Sequence, residues 1–170
     1  WQVGFREVAG AYQQADPADR VSWVGPSMSA RSSITARQME TWAHGQAIVD
    51  ELGIERSEDD RIRNIVVLGV NTFGWSFKVR GMEVPEEPPA LRLTAPSGES
   101  WEYGNLDNDQ VISGMAHEFA QVVTQTRNIA DTQLVCEGET AELWMRNAQC
   151  FAGAPAEPPV PGVRRTKSPA

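Results

Sequence analysis

The sequence predicts an α+β protein with its helical part first. Helical periodicity dominates residues 1–80, the stretch 81–90 breaks it with Pro85, Pro88 and Pro89, and beyond the break short alternating runs give the order β-β-α-β-α. The expected organisation is a helical-bundle portion over 1–80, a linker over 81–90, a small α/β domain over 91–152 and a disordered, proline-rich tail over 153–170. With 170 residues, 41% of them hydrophobic, the chain is long enough to bury a core.

Residues 2–15 place Val3, Val8, Ala11 and Tyr12 at helical spacing and end near Asp16-Pro17, because proline disfavours helix for the residue before it. Gly25-Pro26 reads as a turn. Ser33 or Thr35 is expected to cap the next helix, Thr35 and Gln38 matching a capping box, and that helix runs through Glu51 to stop at Gly53. A further helix over 58–79 opens with the acidic turn SEDD, suited to the positive end of a helix dipole. Its apolar stripe is Ile62, Ile65, Val66, Gly69, Val70 and Phe73. LRLTAP and SWEYG read as a hairpin about Pro96-Ser97-Gly98, followed by a helix over 109–127, the strand TQLVCEG and a helix from Thr140 to Phe151.

The formal charge is -8, and three of the 15 basic residues, Arg164, Arg165 and Lys167, sit in the tail against one acidic residue, Glu157. The body is therefore still more acidic, which argues against nucleic acid and anionic membrane surfaces as partners. No apolar run reaches the roughly 20 residues that cross a bilayer, and the start lacks the order of a signal peptide, so a cytoplasmic protein is expected. Cys136 and Cys150 form no metal-ligand spacing and are expected as reduced, packed thiols. The chain starts at Trp1 and enters helix without a cap, the look of a sequence that has lost its first helices.

In QMETWAHGQAI, Glu40 and His44 stand four residues apart and so share one helical face, where a carboxylate and an imidazole can meet one metal ion. Arg37, three residues before Glu40, either braces that carboxylate or anchors a substrate carboxylate. An ordinary surface ion pair accounts for the same spacing. Adjacent His117 and Glu118 point in different directions, which makes joint chelation poor. The tryptophans, Trp42, Trp75, Trp101 and Trp144 among them, read as core and interface anchors, and GVNTFGW has no dinucleotide or phosphate-loop pattern.

The stretches GPSMSARSSITARQMETWAHGQ, NTFGWSFKVRGMEVP and VVTQTRNIADTQLVCEGETAELWMRNAQCFAG resemble an uncharacterised bacterial family of metal-binding proteins related to mycothiol-dependent maleylpyruvate isomerase. The resemblance spans most of residues 20 to 153. It implies a partial DinB-like four-helix bundle followed by a small sterol-carrier-like α/β domain, in this subfamily also known as a wyosine-base-formation domain. It further implies a zinc ion held by Glu40, His44 and a histidine of an earlier helix, which would precede Trp1, and a mycothiol cosubstrate. Relatives often carry an aspartate three residues after the second histidine, where this chain has Ala47. Arg127 has a counterpart in relatives where an arginine reaches the substrate; a cation at a helix C-terminus is the ordinary explanation and the preferred one.

By resemblance the expected activity is zinc-activated thiol chemistry on a small electrophilic substrate, as an isomerase or S-transferase. The alternatives are a non-enzymatic module binding a small molecule or a partner, and an inactive truncated fragment. A bundle without its first helices would expose an apolar seam and favour a homo-oligomer.

Overall fold

The computed structural model describes residues 2–23 and 27–164. The expected turn at Gly25-Pro26, and residues 165–170 of the tail, lie outside the described residues. Helix α1, Gln2–Gln14, keeps Val3, Phe5 and Val8 exposed and is tied to the next helix by a 2.6 Å hydrogen bond between the Tyr12 and Ser33 hydroxyls. Two short antiparallel strands, β1 (Arg20–Val21) and β2 (Met28–Ser29), lead into α2, Ala30–Glu51.

The cap of α2 is Ser29, whose side chain accepts from the Ser32 N–H, and not Ser33 or Thr35. The helix thus starts six residues earlier than the capping-box reading at Thr35, because Ser29 already satisfies a free N–H of the first turn. The expected helix over 58–79 is three pieces. Asp59 caps a 3₁₀ turn, Asp60–Ile62, and α3 (Arg63–Asn71) and α4 (Phe73–Lys78) follow, separated at Thr72. The Thr72 hydroxyl bonds back to the Leu68 and Gly69 carbonyls at 2.8 and 3.0 Å, a competition with the helix ladder that bends helices.

Residues 81–89 hold neither helix nor strand. Beyond them the hairpin forms as read, β3 (Ala90–Thr94) pairing antiparallel with β4 (Ser100–Tyr103). The helix expected over 109–127 is instead a strand, β5 (Val111–Met115), then the shorter helix α5 (Ala116–Val123). Strand β5 pairs parallel with β3 and antiparallel with β6 (Val135–Glu137). The last helix, α6, spans Glu139–Asn147. The sheet order is β4-β3-β5-β6 and the order in the chain is β-β-β-α-β-α, within the α+β class expected.

Strand β5 begins with two buried residues in succession, Val111 and Ile112, so it lacks the alternation by which a half-exposed strand is recognised. Its chemistry, β-branched residues followed by a glycine at positive φ, was the available signal.

The hydrophobic core draws Met39 and Trp42 from α2, Ile65 and Val66 from α3, Leu93 and Ile112 from the sheet, and Phe119 and Trp144 from α5 and α6. Trp144 lies edge-on to Phe73, centroids 5.0 Å apart, and to Phe119 at 5.7 Å. The proline-rich segment is held against this body as far as it is described. Gln125 and Arg80 donate to the Ala156 carbonyl, Asn128 donates to Pro159 and Gly162 N–H donates to Asp131.

Candidate functional site

Helix α2 presents two faces on which the predicted site residues and their surroundings fall. On its outer face His44 Nε2 stands 3.2 Å from Glu40 Oε2, the side chains 84% and 54% exposed. The shared face expected from the four-residue spacing is present, and it points outward. Arg37 is exposed on the same side and, among the described residues, forms no ion pair, so the expected bracing of Glu40 does not occur. Ile34, Ile48 and Leu52, also exposed, run along this side of the helix. Among the described residues no three His, Cys, Asp or Glu side chains are grouped to hold a metal ion.

The inner face presents Trp42, Gln46 and Asp50, four residues apart in turn and all buried. Arg127, just past the end of α5, forms a two-pronged pair with Asp50. Its Nη1 and Nη2 each donate at 2.6 Å to one carboxylate oxygen, and Nη1 also donates to the Thr126 carbonyl. Gln46 Nε2 donates to Asp50 at 2.9 Å. Arg56 stacks over the Trp42 ring, 4.8 Å from its centroid, and donates to the Trp42 carbonyl and to Gln46. Glu58 accepts from the Trp42 indole N–H at 3.0 Å. Arg56 Nε lies 3.2 Å from the other Glu58 oxygen, at ion-pair distance but without hydrogen-bond alignment.

Two clefts border this network. A groove of about 1180 Å³ runs between α1, α2 and residues 56–64, its lining including the apolar Phe5, Val8 and Ile34 and the polar Arg37, Arg61 and Asn64. A smaller polar cleft of about 360 Å³ lies where α2 meets α5 and is lined by Gln46, Arg56, Glu58, His117, Gln121 and Arg127. Glu40 and His44 line neither. Arg127 therefore faces the inner cleft while the Glu40–His44 pair faces out, and the structure does not bring these predicted residues together.

Burial pushes the Cys150 thiol up to about 12 and the half-buried Cys136 thiol up to about 11, with Glu142 adding to the second. Neither is a ready thiolate nucleophile. Asp59 is held down at about 2 by its hydrogen bonds with Arg61. No helix among the described residues is long and apolar enough to cross a membrane.

Residues 1–49 match the family model of the mycothiol maleylpyruvate isomerase N-terminal domain. The chain is related to that family over this stretch. The match includes α1 and nearly all of α2, hence both Glu40 and His44. Two uncharacterized proteins of Mycobacterium tuberculosis, one from each of two strains, are 43% identical to this chain over 136 residues, 80% of it. The chain spans about half the length of these curated relatives, 53% of each. No solved structure matches.

Sequence reasoning found Arg127 and missed its partner. The signal was there: Trp42, Gln46 and Asp50 repeat at the helical period, on the side of α2 where Met39 and Trp42 mark the core. A glutamine and an aspartate in such a stripe require partners. His117, adjacent to Glu118 and unable to chelate together with it, carries no signal along the chain. Its position in the cleft depends on the packing of α5 against α2, which spacing along the chain does not encode.

Proposed function

We propose that the chain serves zinc-dependent thiol chemistry of the mycothiol-using isomerase or S-transferase class, with Glu40 and His44 as two of the metal's protein donors. The observation that carries this reading is the 3.2 Å approach of His44 Nε2 and Glu40 Oε2 within the stretch related to the isomerase domain. An imidazole nitrogen and a carboxylate oxygen are the donor types of catalytic zinc sites, and two donors leave coordination positions open. The exposed Ile34, Ile48 and Leu52 beside the pair favour a covering helix or partner, which would bring the third donor and take the pair out of solvent.

When bound, such a zinc ion favours the thiolate form of a coordinating thiol at neutral pH. The chain's own contribution is positional. Arg37, free of an ion pair among the described residues, attracts an anionic substrate towards the Glu40–His44 face. Arg127, committed to Asp50, fixes the rotation of α2 and so decides which face Glu40 and His44 occupy.

The test is zinc titration of the chain and of its Glu40→Ala/His44→Ala variant, followed by calorimetry. Loss of the two donors should weaken zinc binding by at least about tenfold, since even outer partners of metal ligands cost that much. Equal zinc uptake by both proteins, or none by either, refutes the assignment.

A further inference from the structure

The polar cleft between α2 and α5 includes neither zinc donor, and of the residues in the zinc reading it contains Arg127 alone, which acts there only through its pair with Asp50. Its walls come from four separate segments: Gln46 of α2, the 55–58 loop, Pro96 of the β3–β4 turn, and α5 with the residue just beyond its end, Arg127. Gln46 and Arg127 are more than nine-tenths buried and locked by hydrogen bonds, so the back of the cleft is rigid. Two lining groups are unspent. The His117 imidazole and the Gln121 side-chain amide, one helical turn apart on α5, make no hydrogen bond or ion pair with the described residues. At about 360 Å³ the space lies at the small end of the roughly 300–1,000 Å³ typical of ligand pockets.

The charge of the walls limits what fits. Arg127 is neutralised by Asp50, and Arg56 by Glu58, while the further charged group on the rim is Glu55. No excess positive charge is left to hold an anion. Spare hydrogen-bonding capacity is plentiful, because a guanidinium has five N–H donors and neither arginine uses all of them. An amide and an imidazole add both donor and acceptor. We propose that this cleft binds a small uncharged molecule bearing carbonyl or amide groups, recognised by His117 and Gln121.

The chain contains two histidines, so a protein labelled with ¹³C-histidine gives two imidazole signals, and His44→Ala assigns them. Nicotinamide and benzamide serve as uncharged probes, with nicotinate and benzoate as their anionic counterparts. The amides should shift the His117 Cε1–H signal saturably without moving that of His44, each carboxylate binding at least about fivefold more weakly than its amide. Gln121→Ala should weaken amide binding by about tenfold, the cost of one lost polar partner, with an unchanged near-ultraviolet circular dichroism spectrum. Should that variant not fold, Gln121→Met keeps the side-chain length and carries the same expectation. Three results each overturn the proposal: no movement of His117 with either amide, a carboxylate binding as tightly as its amide, or amide affinity unaltered by loss of the Gln121 amide group. None of them touches the zinc reading.

Discussion

Replacing Arg127 with methionine should strip two charge-assisted hydrogen bonds from a carboxylate that is largely withdrawn from water. The pair is bidentate at 2.6 Å, with side chains only 8% and 11% exposed. Methionine keeps the volume of the stem and removes the charge, so Asp50 loses its guanidinium partner while Gln46 still donates to it at 2.9 Å. Removing one partner of a buried pair costs about 3–5 kcal/mol, because the remaining charge is left uncompensated. Since Gln46 stays, we expect the lower end, about 3 kcal/mol, read as a shift of the urea midpoint at unchanged slope. Arg127→Lys should recover only part of this, a point charge being unable to make the two-pronged contact. The double change Arg127→Met/Asp50→Leu should be less destabilised than Arg127→Met alone, because no charge is then stranded. A loss under about 1 kcal/mol for Arg127→Met would refute the reasoning, showing that water or another group solvates Asp50.

Gly69→Ala should destabilise despite alanine's better helix propensity, worth up to about 1 kcal/mol, because the new Cβ would sit 2.9 Å from Phe119 Cε1 and 3.0 Å from Val123 Cγ2. We expect a net loss of about 1–2 kcal/mol in thermal or urea unfolding, and a variant as stable as the parent would mean that α3 and α5 separate freely. Cys150 should resist iodoacetamide at pH 8 until the chain unfolds. The unfolded thiol gives up its proton near 9.0 and the folded one only near about 12, so over that window the unfolded state binds fewer protons and stability falls as pH rises. Cys150→Ala should flatten that slope, and an unchanged slope would assign it to other groups.

The sequence by itself determined the α+β class, the positions of α1 and α2, the β3–β4 hairpin and the pairing of Glu40 with His44 on one face. All of these depend on interactions within a few residues: helical period, strand alternation, a turn signal, an i to i+4 reach. Local rules gave way where a competing local group was stronger, as at the Ser29 cap and the Thr72 break. They failed outright at β5, whose buried Val111 and Ile112 owe their conformation to β3 and β6 on either side rather than to their own pattern. Only tertiary structure decided that Arg127 is spent on Asp50, 77 positions earlier in the chain, and that His117 and Gln121 face a cleft while His44 faces out. Burial fixes those assignments, because a charge removed from water takes whatever partner the packing of distant segments places beside it.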